Sequence, residues 1–475
     1  MKKLVLAAVN SQYSHTNLAV RYLAGTCKDL ADTEVFEFNI NQPKFIPFKQ
    51  IIASKPDYLG FSCYIWNINY VLSLASDIKA ASPGTIIILG GPEVSFRADE
   101  LYNKYSFIDY IVCGEAEESF PELVKSLNSG NADKPSKKYD VVTDISEIPY
   151  PYVNSTEQDF ENRLVYYETS RGCPFSCTYC LSGSITKCNL DSKKIRELPL
   201  DRVFREVSEL ASKGVKTLKL VDRTFNANKK RAEEMMEYFA AHTGEMCVHM
   251  EVAADLLTPK MMDILCSAPR GKFQLEAGIQ SFNTDTLKAV DRVTDLDAIR
   301  QNITRLVSCG RTHIHIDLIA GLPLEDYVSF GRSFDEAYAL RPDMLQLGFL
   351  KVLPGSAIEA ECEKYGIKYR KDAPYEVLYT DHISVDELIR LKCVEAALDI
   401  FYNKERNRQY ADAAMKISGL APFAFYEKLS QYLDSNGLID RPLSSTNQYN
   451  AIYAFVSEFY GTSQAKELPP PPKLK

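Results

Sequence analysis

Eleven short runs of apolar and β-branched residues, each followed by a helical stretch, constrain this chain more than any other feature. In the first part the runs fall at 4–9, 34–39, 58–62, 85–89 and 110–112, with helical patterns at 17–30, 68–81 and 98–105. Continuous apolar strands alternating with helices imply an α/β domain: a doubly wound parallel sheet covered on both faces. The ligand crevice of such a sheet lies at the carboxyl ends of its strands. Here those ends carry residues 10–17, 63–67, 90–93 and 114–115.

A polar stretch at 128–138 has no hydrophobic period and reads as a linker, carried on to 163 by Pro149 and Pro151. Alternation then resumes, with strands at 164–169, 217–221, 248–252, 273–277, 313–319 and 344–350 and helices such as 199–213 and 228–241 between them. Six such units suit a partial (β/α)6 barrel, with its chemistry at the carboxyl ends of the strands. After Pro374 the pattern turns helical, at 385–402, 422–436 and 448–460. The prolines at 469–472 can continue neither helix nor sheet and read as a loose tail. The expected division is a first domain at 1–127, a linker at 128–163, a barrel at 164–373, a helical domain at 374–466 and a tail at 467–475.

Charge and cysteine usage narrow the function. The 475 residues carry 55 basic and 63 acidic side chains, a net charge of −8, which disfavours a bare nucleic-acid binder. The apolar run at 4–9 ends at Asn10 without a small-residue cleavage site, so it reads as a strand rather than a signal peptide. No run approaches the roughly 18 apolar residues of a membrane helix, so a cytoplasmic location with no membrane partner is expected. Twelve cysteines in a reducing compartment are not expected to form a disulfide framework, and a tight cluster among them points to a metal.

That cluster is Ser170-Arg171-Gly172-Cys173-Pro174-Phe175-Ser176-Cys177-Thr178-Tyr179-Cys180. Three thiols lie within eight residues just past the first barrel strand. Gly172 and Pro174 keep the segment a loop, so the thiolates of Cys173, Cys177 and Cys180 can converge on one centre. Soft thiolates at this spacing select an iron–sulfur cluster or zinc. A closed zinc site wants four ligands, for which Cys188 is the nearest further candidate. The other cysteines are scattered and read as small buried hydrophobes.

The Cys-x3-Cys-x2-Cys spacing, with Tyr179 before the last cysteine and a βα barrel after it, resembles the radical S-adenosylmethionine (SAM) superfamily. The resemblance implies a 4Fe–4S cluster on Cys173, Cys177 and Cys180, its fourth iron open to SAM. It further implies a 5′-deoxyadenosyl radical that abstracts hydrogen from a substrate. Site residues carry over by position. Asp222 sits where the family places polar groups for the methionine ammonium. Glu276 and Gln280 lie in the fourth-strand pattern, with Arg292 as the carboxylate-binding arginine. Ile319 and Gly321 lie in the fifth-strand segment packed on adenosine, and Leu353 and Pro354 in the sixth-strand turn that reads adenine.

The first domain is flavodoxin-like and resembles the cobalamin-binding subclass, whose Asp-x-His-x-x-Gly loop supplies a cobalt ligand. Here His15 is present, but Tyr13 and Leu18 stand at the Asp and Gly positions, so cobalamin ligation by His15 is not expected. Over nearly its whole length the chain resembles a branch with a helical C-terminal domain of unknown function, of which queuine lyase is a member with assigned activity. This implies a lyase that fragments a small free metabolite such as a deazapurine base, in queuosine salvage. The alternatives are a cobalamin-dependent radical SAM methyltransferase and a tRNA-modifying enzyme of the methylthio-transfer type. An electron donor such as flavodoxin or ferredoxin would be a partner. In the crevice between the first two domains Tyr64, Trp66, Asn67, Arg223, Asp255 and Gln346 are substrate candidates, with Glu251, Asp317 and Lys351 as catalytic candidates. The lone tryptophan, Trp66, suits stacking on a flat heterocycle. His313 and His315 alternate on one strand and share a face.

Overall fold

In the computed structural model, which describes residues 1–133, 139–142, 144–188, 195–439 and 441–471, two parallel sheets dominate the molecule. The first comprises Lys3–Asn10 (β1), Asp32–Asn39 (β2), Tyr58–Ser62 (β3), Ile86–Gly90 (β4) and Tyr110–Val112 (β5), in the order β2-β1-β3-β4-β5. All four pairings are parallel. Central β1 is buried on both faces: Val5, Ala7 and Val9 enter one apolar cluster, and Leu4, Leu6 and Ala8 the other. The strand order reverses direction between β1 and β3, which opens a crevice at their carboxyl ends.

The second sheet runs from Leu164–Tyr167 (β6) through a short hairpin, Ser170–Arg171 (β7) with Arg196–Glu197 (β8), to Thr217–Leu220 (β9) and Cys247–Glu251 (β10). It continues with Phe273–Gln280 (β11), His313–Ala320 (β12) and Met344–Phe349 (β13), in the order β13-β12-β11-β10-β9-β6. Alternation on these strands separates an apolar outer face from a polar inner one. On β11, Phe273, Leu275, Ala277 and Ile279 are buried against the helical layer, while Gln274, Glu276 and Gln280 face the lumen. A closed eight-stranded barrel fills its lumen with layers of branched apolar side chains; this six-stranded one is lined with charge instead.

The hairpin of Lys368–Tyr369 (β14) and Val377–Tyr379 (β15) leads into the helical C-terminal region. Its helices Val385–Leu398, Glu405–Ser418, Pro422–Ser435 and Ser445–Tyr460 join the barrel's own apolar core. Ser384 and Glu387 close a capping box at the first of them. The barrel helix Tyr327–Ala339 approaches Phe423 so closely that a Cβ on Gly331 would lie 2.7 Å from its ring.

Several expectations are corrected. The latter part of the presumed linker is core: Val142, Ile145, Ile148, Tyr152 and Phe160 are buried in the barrel cluster. Tyr152 donates to the Tyr166 carbonyl at 2.5 Å, and Arg202 donates to the carbonyls of Ser146 and Ile148. Packing of helices Pro259–Ser267 and Leu296–Cys309 brings Cys266 and Cys309 into a disulfide that was not expected. The tail is not wholly loose: Leu468 is buried and the Pro470 carbonyl accepts from Tyr410. The rest of it, 472–475, and the Cys188 side chain lie outside the described residues. No helix among the described residues is long and apolar enough to cross a membrane.

Candidate active site

The cysteine loop is held from both ends. At its start, Asp222 at the end of β9 is almost fully buried and accepts three hydrogen bonds: from Thr169 N (2.9 Å), Thr169 Oγ1 (2.6 Å) and Ser170 Oγ (2.6 Å). Burial raises its pKa, and these donors work against that rise. Gly172, at φ +100°, then turns the chain into Cys173. Further on, Thr178 N–H donates to the Val290 carbonyl and its own carbonyl accepts from Ile358 N–H. The helix that follows passes so near that a Cβ on Gly183 would lie 2.6 Å from the Cys177 carbonyl oxygen.

Cys173 and Cys177 are buried and Cys180 half-buried. Thr224 Oγ1 lies 3.6 Å from Cys173 Sγ, and Arg292 Nη1 donates to Cys177 Sγ at 3.7 Å. Arg292 Nη2 also donates to the Gly278 carbonyl, and Tyr179 bonds to both Cys177 and Arg292. Burial drives the Tyr179 phenol well above its ordinary range, so it stays a neutral donor. This donor set fits a cluster: three soft ligands on one short loop, hydrogen-bonded from outside, leave a fourth metal position open.

The positions expected to hold SAM surround this loop. Gln280 adopts φ +77°, folds its amide over Gly278 and leaves Oε1 buried with no partner among the described residues; Arg292 Nε is likewise unpartnered. Unpaired buried donors and acceptors beside the cluster suit a zwitterionic amino-acid moiety. Gly321, at φ +83°, lets β12 pass Val377, whose Cγ1 would lie 2.8 Å from an added Cβ. Ile319 packs on the barrel core. Leu353 and Pro354 form the turn after β13, closed by Ser356 N–H to the Leu353 carbonyl. Pro354 borders a cavity of about 580 Å³ that reaches Phe96 and Arg97 of the first domain and Tyr375 of the last.

The lumen below is charged. Lys219 Nζ donates to Glu276 Oε2 at 2.9 Å, and His249 Nε2 lies 3.1 Å from the same oxygen. On β12, His315 Nε2 lies 3.0 Å from Asp317 Oδ1. Burial would raise the Glu276 carboxyl, but His249 and Lys219 outweigh it and hold it at about 2. Burial would lower His315, but the Asp317 carboxylate keeps it raised. Glu251 is pushed up by burial and by the neighbouring Glu276 charge. Lys219 and His249 were not foreseen, although the alternation of β9 and β10 aims them at the face of Glu251. His313, by contrast, is exposed at the far end of β12.

Other candidates are placed differently. Lys351 is exposed beyond β13, its backbone bridged to Glu376, so it stands outside the buried lumen set. Asp255 accepts from Asp295 N–H and pins two loops together. Asn67 is fully buried, with Nδ2 donating to the carbonyls of Val9 and Ser62 and Oδ1 accepting from Tyr64 N–H, which makes it scaffold. Gln346 and Arg223 are exposed, Gln346 on β13 opposite Asp317.

Over the crevice of the first sheet, the rings of Tyr64 and Trp66 stack at 4.4 Å and 4°, with Trp66 still 45% exposed. At the end of β3 Ser62 Oγ is buried without a partner among the described residues, and Gly91, at φ +109°, packs on the Cys63 backbone. In the loop after β1, Ser11 Oγ (3.2 Å) and Tyr166 OH (3.4 Å) meet His15 Nδ1, and the His15 backbone pairs with Leu164. The crevice faces the cysteine loop. Glu115 and Glu117, after β5, pair with Arg171, which precedes Gly172, and Glu115 also pairs with Arg196. On the opposite side Gly355 abuts the Phe96 ring.

In the loop after β12, Glu325 is 1% exposed, with Oε1 accepting from Ser281 (2.6 Å) and Ser333 (3.1 Å). Burial pushes its carboxyl up to about 7 from 4.5. Because the folded value lies above the unfolded one, its contribution to stability is full below about 4.5 and is lost as pH rises through about 7. Between pH of about 5.5 and 8.5 this amounts to a loss on the order of 2 kcal/mol. Glu325→Gln is expected to flatten that part of the stability–pH curve, as read by thermal unfolding across the range.

Three family models match the chain: "B12 binding domain" over residues 4–124, "Radical SAM superfamily" over 167–337 and "Protein of unknown function (DUF4080)" over 363–468. The chain is a radical SAM protein with a B12-binding domain. It is 26% identical over 372 residues to the cobalamin-dependent radical SAM methyltransferase TokK of Streptomyces tokunonensis, covering 70% of this chain and 53% of TokK. The chain thus spans about half the length of that relative. Its fold matches the cobalamin-dependent SAM radical enzyme OxsB, solved with aqua-cobalamin and SAM, at a TM-score of 0.70 and 13% identity over 98% of this chain and 80% of that one. The radical SAM methyltransferase TsrM from Kitasatospora setae, solved with cobalamin and a 4Fe–4S cluster, matches at 0.63 and 14%, over 79% of each chain.

Proposed function

We propose that this radical SAM enzyme binds cobalamin in the crevice of its first domain and methylates a small polar substrate held in the barrel lumen. The observation that carries the reading is the crevice itself, which faces the cysteine loop across ion pairs from Glu115 and Glu117 to Arg171. Its lining suits a large flat ligand: the half-exposed Tyr64–Trp66 stack and the orphaned Ser62 hydroxyl both lie at the carboxyl end of β3. When bound, the cluster, SAM and cobalamin would supply electron transfer, a methyl source and a methyl carrier.

The chain's own residues divide the remaining work. Cys173, Cys177 and Cys180 would hold the cluster, and Arg292 and Gln280 present their unpaired atoms to the SAM amino acid. Lys219, Glu251, Glu276, His315 and Asp317 orient a polar substrate below. His15, in a loop with Tyr13 and Leu18 at the Asp and Gly positions, is not a cobalt ligand in this reading. An external one-electron donor, such as a flavodoxin or ferredoxin, is part of the proposal. The names of TokK and TsrM support methyl transfer.

The test is anaerobic reconstitution with iron, sulfide and hydroxocobalamin, followed by SAM, reductant and candidate metabolites. Expected are cobalamin retained at about one per chain and S-adenosylhomocysteine formed alongside a methylated product. His15→Ala is expected to retain cobalamin as well as the wild type does. A cobalt-free protein that cleaves SAM and fragments queuine would overturn methyl transfer in favour of the lyase.

A further inference from the structure

We infer that the barrel lumen contains a second metal site, for one divalent first-row cation, formed by Glu276, His315 and Asp317 and distinct from the cysteine cluster. One ligand atom from each of these residues lies within 4.8 Å of the others. His315 is 7% exposed, and its Nε2 sits 3.0 Å from Asp317 Oδ1 without the alignment of a full-strength hydrogen bond. His249, also 7% exposed, repeats the arrangement, its Nε2 lying 3.1 Å from Glu276 Oε2 and likewise poorly aligned. Close approach without hydrogen-bond alignment is the geometry of two donors aimed at a shared third point. Adjacent ligands on an ion with bonds of about 2.1 Å are separated by about 3 Å.

Charge points the same way. Glu251, Glu276 and Asp317 bring three carboxylates to the lumen, against the ammonium of Lys219 and the guanidinium of Arg223 at its mouth. Lys219 and His249 both meet Oε2 of Glu276, so Lys219 fixes this carboxylate while His249 flanks it as a further donor. Mixed imidazole and carboxylate donors without thiolate select Mn²⁺, Fe²⁺ or Zn²⁺ over calcium, and leave the iron–sulfur ligands to the loop above. Three protein ligands leave coordination positions open toward the lumen, and a carboxylate or carbonyl oxygen of the substrate fills one of them.

The experiment uses the full-length, cluster-loaded protein, incubated anaerobically with Zn²⁺ or Mn²⁺ alone, desalted and counted by elemental mass spectrometry. The expected result is about one zinc or manganese per chain beside about four irons. His315→Ala and Glu276→Gln should each lower retained zinc or manganese about tenfold or more, with iron unchanged. His313→Ala, exposed on the same strand, should leave both counts as they are. Asp317→Asn, which keeps the side-chain shape, carries the same expectation if His315→Ala does not fold. No zinc or manganese above about a tenth per chain, or equal retention in His315→Ala or Asp317→Asn, would overturn the site.

Discussion

Cys177→Ala is expected to leave a folded protein without cluster iron and without SAM cleavage, an activity loss beyond about a thousandfold. Cys177 is the thiol that the rest of the loop is built around. Arg292 and Tyr179 both direct buried donors at its sulfur, and Gly183 packs against its backbone. Two thiolates do not retain a 4Fe–4S cluster against an open fourth iron, and a serine hydroxyl is too hard a ligand to replace the third. The fold should survive, because the loop's position rests on backbone bonds of Thr178 to Val290 and Ile358 rather than on the thiol. Iron and sulfide content, visible absorbance and 5′-deoxyadenosine formation check the outcome. Cys266→Ala, at the disulfide on the outer helices, should keep iron at the wild-type level, which separates the cluster thiols from the rest.

The contrast between those two cysteines shows what is readable from sequence alone. Cys173, Cys177 and Cys180 declare themselves because their chemistry is local: three thiols on one loop need no knowledge of distant residues. Cys266 and Cys309 are separated by 43 positions, and only the packing of two outer helices makes them neighbours. The central strands of the first sheet are legible for a related reason. Residues such as Leu4–Leu6 on β1 are buried from both sides and tolerate no polar interruption. The stretch 139–163 carries no such signal, because its apolar residues have neither helical nor strand period, yet Tyr152 and Phe160 are buried to the same depth as strand residues.

Side-chain roles were legible only to the level of the face. The alternation on β12 puts His315 and Asp317 on the lumen side, but their pairing with each other, and that of Glu276 with Lys219 and His249, depends on strand register. Asn67 and Lys351 illustrate the opposite failure. Polar residues at strand ends look functional, yet Asn67 spends its amide tying β1 to β3 and Lys351 lies exposed. The loop sequence around His15 speaks only to cobalt ligation by that histidine and says nothing of the rest of the crevice. A stacked aromatic pair and an orphaned hydroxyl became visible only in three dimensions.

Asp222 joins these threads, and its replacement tells anchoring apart from cofactor binding. Its carboxylate accepts from Thr169 N, Thr169 Oγ1 and Ser170 Oγ in a fully buried setting, 53 and 52 residues away in sequence. Asp222→Ala strands three donors at the root of the cysteine loop and should destabilise the protein by about 3 kcal/mol. Arg231, which donates to the Thr169 carbonyl and feels the charges of Glu197 and then Asp222, loses part of its compensation at the same time. The loop start, no longer fixed, should release iron, so cluster content falls together with the unfolding midpoint. Asp222→Asn keeps one acceptor and should fall between the two in both measurements. Were Asp222 instead a direct ligand of the SAM ammonium, iron and stability would be retained while KM for SAM rose in the loaded enzyme. Three strong hydrogen bonds already engage its two oxygens, so the expected pattern is loss of iron and stability, with KM for SAM unchanged in the fraction that keeps its cluster.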